Sequence, residues 1–104
     1  MHRKPAITPP ATAIKLEGAM TVMMAGELRE QLLVVLGHTA GVLRVDLSAV
    51  SELDSAGLQL LLALVREGPQ VQLHSPSPVA GARIRRLGLI GALRLEQEIN
   101  DGTP

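Results

Sequence analysis

The sequence predicts an α/β fold, a single domain in which a four- or five-stranded mixed sheet carries about three helices, packed mainly on one face. Segments with the alternating pattern of strands are followed by segments with helical spacing of their apolar residues. The chain has 104 residues, enough for one domain, and no internal repeat divides it. Three helices are too few to cover both faces of such a sheet, so one face is expected to carry most of them.

The first part of the domain is predicted to be a hairpin followed by a helix. Ile14 and Leu16 alternate with polar residues, and Gly18 permits a tight turn before a returning strand at 20–22. From Ala25 onward the spacing is helical. The apolar side of this helix is made by Leu28, Leu32, Val35 and Leu36, and Gly37 or Gly41 is its expected end.

Two methionines stand where this helix should have its N-cap. Met23 and Met24 occupy positions at which Ser, Thr or Asp would be preferred. Methionine is flexible and fills irregular gaps in apolar cores. We therefore expect the pair to fill gaps in the core rather than to form a contact surface.

A buried strand is predicted at 42–47, followed by a polar loop and a second helix. Its apolar residues are interrupted only by Arg44 and Asp46, and we expect a central strand covered on both faces. The helix runs from about 55 to 67 and is apolar over most of its surface, so little of it can face water. The Gly-Pro pair at 68–69 ends it.

The last third of the domain should hold a strand, a helix and a short final strand. The first of these strands is expected at 70–74, where Val71 and Leu73 alternate with polar residues. The helix is expected from Pro78 to about 87, with Ser77 as its N-cap. The short apolar segment at 93–95 is predicted to be the final strand.

Arg83, Arg85 and Arg86 of the third helix are expected to form a solvated basic face.

The domain is expected to span 13–97, between a flexible N-terminal arm at 1–12 and a C-terminal tail at 98–104.

Composition excludes several classes of function. There is no Phe, Trp or Tyr, so the chain lacks the aromatic platforms on which single-stranded nucleic acids stack. Ten basic and ten acidic residues cancel, so no net field attracts nucleic acid or an anionic membrane. There is no cysteine, and the three histidines, His2, His38 and His74, share no spacing typical of metal ligands. We expect no metal, no cofactor and no nucleic acid partner.

Nothing in the sequence predicts insertion into a membrane. The basic N-terminus is followed by prolines rather than by an apolar core. The longest uninterrupted apolar run lies at 60–65, far short of the ~20 residues that a membrane span needs. We therefore expect a cytoplasmic protein.

The candidate site is the turn into the second helix, where Asp54 and Ser55 precede Ala56 and Gly57. A hydroxyl at a helix N-terminus is a modifiable group at a point where backbone N–H groups and the helix dipole favour negative charge. A purely structural interpretation is also open. Asp54 or Ser55 can cap the helix, and Gly57 can let the helix lie close to the sheet.

The same residues do not predict an enzyme. A nucleophile elbow needs glycine two residues before the serine, where Leu53 stands. No histidine is placed by the sequence to act as a base, and the glycine-rich phosphate loop that ends in Gly-Lys-Ser/Thr is absent. Catalysis or nucleotide binding by Asp54 and Ser55 is therefore the least favoured interpretation.

The segment 47–58 resembles the signature of the STAS domain family, the anti-sigma factor antagonists of bacteria. The Leu-Ser pair at 47–48 and the run Leu-Asp-Ser-Ala-Gly-Leu at 53–58 carry the likeness. The Ser-Pro pair at 75–76 and the Leu-Gly-Leu run at 87–89 stand in register downstream. The likeness extends from about residue 14 to residue 96.

This resemblance implies that Ser55 is phosphorylated by a partner serine kinase, itself an anti-sigma factor, and that Asp54 is the acidic residue before the modified position. Ala56 stands where the sporulation and stress-response members have a second hydroxyl residue. The segments 57–62 and 74–76 are similar to STAS proteins encoded beside chemotaxis genes. The run Asp-Ser-Ala-Gly-Leu at 54–58 also resembles the small STAS subunit of lipid-transport ABC systems, which contacts the ATPase.

Two functions therefore remain open. One is a phosphorylation-controlled protein-binding module that resembles an anti-sigma factor antagonist. The other is a constitutive STAS subunit or adaptor of a chemotaxis or lipid-transport ABC assembly, with Ser55 as a helix cap or contact residue.

Charge supplies a mechanism for the switch. A phosphate on Ser55 adds about −1.5 to −2 charges, which a helix N-terminus tolerates within the isolated domain. In a complex the same charge would be desolvated beside other acidic groups, so the phosphorylated form should release its partner. The expected partner-binding residues are Glu52, Asp54, Ser55, Ala56, Gly57 and Gln59.

Overall fold

The computed structural model describes residues 12–96. The elements are β1 (Thr12–Met20), α1 (Val22–Gly37), β2 (Leu43–Leu53), α2 (Ser55–Glu67), β3 (Val71–His74) and α3 (Pro78–Arg86). Strands and helices alternate, and the predicted α/β class with three helices is confirmed. Apart from Thr12, which begins β1, the predicted arm and tail lie outside the described residues.

The sheet of the described region has three strands in the order β1-β2-β3, fewer than the four or five predicted, and both strand pairs are parallel. Parallel neighbours need a crossover connection, which α1 and α2 provide. The predicted burial of both faces of β2 is wrong. Leu43, Val45 and Leu47 are buried, whereas the alternating Arg44 and Asp46 are only half-buried, because the helices cover mainly one face.

The predicted hairpin at 14–22 is also wrong, because β1 is one strand that continues along β2 as far as Met20. The pairing shifts register between Lys15 and Glu17, and again between Gly18 and Ala19. Gly18 has a φ of 87°, a conformation that glycine adopts without steric cost. Gly18 therefore accommodates an irregularity in the pairing of β1 with β2 and does not form a turn.

β2 takes in most of the predicted polar loop. Its second half pairs with β1, with Val50 opposite Gly18 and Leu53 opposite Met20. Val50 and Leu53 are buried, so the polar residues between them belong to a strand with one covered face. Only Asp54 separates this strand from α2.

The core is aliphatic and lies where the helices meet the sheet. α2 supplies the largest helical share, as its apolar surface predicted: Leu58, Leu60, Leu61, Leu64 and Val65 are buried. α1 adds one fully buried residue, Leu32. The bounds predicted for α2 are confirmed, and β3 lies within the predicted range 70–74. In α3 the predicted N-cap is confirmed as well, since the Ser77 hydroxyl accepts from the backbone N–H of Ala80 at 3.1 Å.

The predicted final strand at 93–95 is wrong, because Leu93 and Arg94 lie in a turn and Leu95 in irregular backbone. Leu93 is fully buried. The Arg94 guanidinium donates to the carbonyl oxygens of Val65 and Gly68 at 3.1 and 3.2 Å. Those carbonyls lie at the end of α2, where they have no intrahelical partner. The apolar pattern of this segment therefore reflects an anchor that closes the core and holds the end of a helix.

We expect Arg94→Ala to lower the free energy of unfolding by roughly 0.5–1.5 kcal/mol. The Val65 carbonyl would lose its donor, whereas the Gly68 carbonyl would keep the backbone N–H of Val71. Arg66→Ala is the matched control. Arg66 is an exposed arginine in the last turn of α2, and its loss should cost about 0.5 kcal/mol or less. Urea unfolding followed by circular dichroism measures both. Equal losses would show that Arg94 does not hold this helix end.

Candidate functional site

The turn into α2 is organised by the Asp54 carboxylate. Its Oδ1 accepts from the backbone N–H of Gly57 at 3.0 Å, and its Oδ2 accepts from the backbone N–H of Val22 at 3.0 Å. Gly57 lies in the first turn of α2, and Val22 is the first residue of α1. One side chain therefore caps two helices. The Asp54 N–H also donates to the Met20 carbonyl at 3.2 Å, which ties the turn to the end of β1.

The bond between the Asp54 carboxylate and the Val22 N–H explains where α1 begins. The helix was predicted to begin at Ala25, but it begins at Val22. Thr21 is the local N-cap residue, but its side chain makes no capping hydrogen bond. The side-chain cap comes from Asp54, 32 residues further along the chain. Signals near the start of α1 could not reveal it.

Hydrogen bonds to the backbone hold the pKa of Asp54 below its ordinary value. The bond from the Gly57 N–H is the largest cause and the bond from the Val22 N–H the next, because both stabilise the ionised form. Partial burial raises the pKa but is outweighed, and the positive charge of Arg83 lowers it slightly. The turn therefore carries a fixed negative charge directly before Ser55.

Ser55 is the first residue of α2 and is exposed. The N-cap is Asp54, so the interpretation in which Ser55 caps the helix is wrong. The Ser55 hydroxyl makes no hydrogen bond to any other residue between 12 and 96. Its oxygen is therefore open to a second protein.

Gly57 marks the place where α2 touches the end of β1. A Cβ at this position would overlap the Met20 carbonyl oxygen and would lie 2.9 Å from Cδ1 of Leu53. Only glycine allows the helix to begin so close to the strand, which confirms the structural interpretation of this residue. Because Gly57 is buried, its predicted part in partner binding would act through the shape of the turn.

The other predicted site residues lie around this turn. Glu52 and Gln59 are exposed, and Ala56 is half-buried. Ala56 and Gln59 also line an open groove of about 350 Å³ between α1 and α2. We call the exposed and half-exposed members of this group the Ser55 surface; they are Glu52, Asp54, Ser55, Ala56 and Gln59.

An apolar patch that sequence analysis missed adjoins the Ser55 surface. Val22, Met23 and Met24, which we call the methionine patch, are 70%, 86% and 44% exposed. The expectation that Met23 and Met24 fill core gaps is therefore wrong. They lie in the first turn of α1, whose N-terminus is held by Asp54 of the Ser55 surface. Exposed methionines adapt to the shape of a binding partner. A helix start without a local cap was the one signal in the sequence.

The three arginines of α3 were predicted to form one solvated face, and this prediction is wrong. Arg85 and Arg86 are exposed, but Arg83 is half-buried. The Nε of Arg83 is enclosed and has no hydrogen-bond partner within the described part of the chain. Arg83 attracts the Asp54 carboxylate, so a positive charge acts on the turn together with the acidic groups of the Ser55 surface.

No helix between residues 12 and 96 is long and apolar enough to cross a membrane. In the same range, no three His, Asp or Glu side chains converge on a position suited to a metal ion.

Comparison with solved structures supports this fold. The chain is similar to the anti-sigma factor antagonist SpoIIAA in its unphosphorylated form, with 19% identity and a TM-score of 0.65 over 93% of this chain and 86% of that one. It is also similar to a sulfate transporter family protein from Wolinella succinogenes, with 19% identity and a TM-score of 0.63 over 85% and 75%. At this identity the likeness establishes the fold alone.

Comparison of the sequence itself assigns the family. No curated protein matches the chain. A family model described as "Mlab, STAS domain" matches residues 4–95. That match covers most of the chain, includes the whole turn around Ser55 and agrees with the fold, and the protein therefore belongs to the STAS domain family.

Proposed function

We propose that the protein is a phosphorylation-controlled protein-binding module, similar to an anti-sigma factor antagonist and without catalysis of its own, which a partner serine kinase switches at Ser55. The observation that carries this proposal is the environment of the Ser55 hydroxyl. It is exposed at the first position of α2, while the neighbouring Asp54 performs the capping. The hydroxyl can thus be modified without loss of a bond within the described domain.

Phosphate at this position should leave the fold intact. The first turn of α2 contains no acidic residue, and its backbone N–H groups and dipole favour an anion. The phosphate would nevertheless stand directly beside the Asp54 carboxylate and near the exposed Glu52. In solution, water and ions screen this repulsion.

In a complex the same charges would be desolvated, and their repulsion would grow. The unmodified surface offers an apolar methionine patch beside a fixed carboxylate. It therefore suits a protein partner with an apolar contact surface and few acidic groups opposite the turn. Phosphate on Ser55 would place about two further negative charges in that contact, and the partner would dissociate.

The experiment that tests this proposal compares tagged wild-type protein, Ser55→Ala and Ser55→Asp as baits in the cells from which the protein comes. Ser51→Asp is the matched control, because Ser51 is also exposed and the change adds the same charge four residues earlier. We expect a protein that wild type, Ser55→Ala and Ser51→Asp all capture, and that Ser55→Asp binds at least about tenfold more weakly. Capture is measured by quantitative mass spectrometry and affinity by titration of the purified pair.

Phosphorylation itself is tested separately. Intact-mass and peptide-level analysis of protein isolated from its own cells should find phosphate on Ser55, and none on the Ser55→Ala variant. If Ser55 is unmodified under every growth condition and the four baits bind alike, the switch is refuted.

A second candidate function is a constitutive STAS subunit or adaptor of a chemotaxis or lipid-transport ABC assembly, with Ser55 as a contact residue. The methionine patch favours it, since a permanently exposed apolar patch suits a lasting contact. In this case Met23→Asp should abolish partner binding, while Ser55→Asp weakens it by much less. Neighbouring genes for an ABC transporter, for chemotaxis, or for a serine kinase and sigma factor would indicate which partner to purify.

A further inference from the structure

A cavity of about 460 Å³ lies beyond the carboxyl end of β3, apart from the Ser55 surface and the methionine patch. Its polar lining comes from Ser48, Ser75, Arg85 and Glu96, and its apolar lining from Pro76, Ile90 and Leu95. Small-molecule sites typically have volumes of about 300–1,000 Å³ and combine apolar walls with a few polar groups. In open α/β sheets such sites lie at the carboxyl ends of parallel strands.

The charged groups of the cavity lining are one guanidinium, from Arg85, and one carboxylate, from Glu96. The Glu96 carboxylate is held by the Arg44 guanidinium in two contacts of 2.9 and 3.3 Å. Its charge is therefore compensated from outside the cavity. Arg85 forms no ion pair with any residue in the range 12–96. Among the described residues the guanidinium of Arg85 is therefore the charge of the lining that has no ion-pair partner, and its donors suit a carboxylate or phosphate.

Ser75 adds a second donor in an unusual conformation. Its φ is 53°, which is rare for a residue other than glycine, and a residue before proline normally favours extended backbone. Such backbone outliers concentrate at binding sites. The Oγ of Ser75 lies 2.8 Å from Nδ1 of His74. When Nδ1 carries the proton, this oxygen accepts from His74 and can donate its own hydrogen into the cavity.

We propose that this cavity binds a small amphiphilic anion. Its carboxylate or phosphate head would be held by Arg85 and Ser75, and its apolar body would lie against Ile90 and Leu95. Both side chains are half-buried at the rim of the core, so a ligand would remove apolar surface from water as it binds.

The test uses the 104-residue chain and four probes: octanoate, octyl phosphate, octanol and octylammonium. Amide chemical shifts of the labelled protein are followed during each titration. We expect saturable shifts at Ser75, Arg85 and residues 90–95 with at least one of the two anions. Whichever anion binds more tightly identifies the head group. Octanol and octylammonium should bind at least about tenfold more weakly.

Two matched variants test the role of the guanidinium. Arg85 and Arg86 are neighbouring exposed arginines of α3, but only Arg85 lines the cavity. Arg85→Gln should weaken binding of the anion by about tenfold, and Arg86→Gln should leave it unchanged. The spectra also show whether both variants keep the fold. Absence of saturable shifts with either anion, equal binding of octylammonium, or equal effects of the two variants would each overturn the proposal.

Discussion

Gly57→Ala should destabilise the domain by about 2–3 kcal/mol, because the added methyl group would overlap the Met20 carbonyl oxygen and press on Leu53. The carbonyl belongs to the backbone of β1 and cannot rotate away as a flexible side chain can. It also accepts the N–H of Asp54, so moving it strains the turn that carries Ser55. The first turn of α2 would have to shift away from the sheet.

Gly26→Ala is the matched control. Gly26 lies inside α1, is exposed, and would have nothing within 4 Å of an added Cβ. Alanine there should stabilise the domain by about 0.5–1 kcal/mol, through better helix propensity and a more restricted unfolded chain. Urea unfolding of both variants measures the difference. If Gly57→Ala were neutral or stabilising, the close approach of α2 to β1 would not exist in solution.

Asp54→Ala should cost more stability than Ser77→Ala, although both remove one capping residue. Ser77 caps α3 through a single hydrogen bond to Ala80, and losing such a cap costs about 1 kcal/mol. Asp54 accepts one hydrogen bond at the start of α2 and another at the start of α1. Its removal therefore leaves two helix ends without a cap. Thermal unfolding of the two variants measures this order, and a smaller loss for Asp54→Ala would contradict the double cap.

The contribution of the Asp54 charge should also depend on pH. Backbone hydrogen bonds, chiefly from Gly57 and then from Val22, hold its pKa in the folded protein below the ordinary value of 3.8. A carboxyl whose pKa is lowered by folding stabilises the fold fully above its unfolded pKa and loses this contribution as the pH falls through its folded pKa. The stability difference between wild type and Asp54→Asn should thus be constant near neutral pH.

Below about pH 4 the same difference should shrink, because the wild-type side chain becomes neutral as well. Asp46 and Glu96 also have lowered pKa values, Asp46 mainly through Ser48 and Glu96 mainly through Arg44. Total stability will therefore fall in acid in both proteins, and only the difference between them reports on Asp54. A difference independent of pH from 7 to about 3 would show that its charge does not contribute.

The double cap also has a consequence for function. Asp54 holds the start of α1, which carries the methionine patch, and the start of α2, which carries Ser55. The apolar and the modifiable parts of the proposed interface are therefore fixed relative to each other. Asp54→Ala should weaken partner binding even if the domain remains folded.

The sequence by itself determined the features that depend on neighbouring residues. The bounds of α2 follow from its apolar spacing and from Gly68 at its end, and the cap of α3 follows from the Ser77-Pro78 pair. The α/β class, the three helices and the position of Ser55 at the start of α2 were predictable in the same way, because helix periodicity and capping act over a few residues.

The tertiary structure alone decided the features that depend on residues far apart in the chain. The pairing of β1 with β2 made a strand of the predicted hairpin, and the Asp54 carboxylate began α1 at Val22. Met23 lies in the first turn of this early helix and is exposed, whereas the local pattern favoured a place in the core. Likewise, Arg94 anchors the end of α2 in a segment whose pattern suggested a strand. Each outcome rests on hydrogen bonds between segments that only folding brings together, and local periodicity carries no record of such partners.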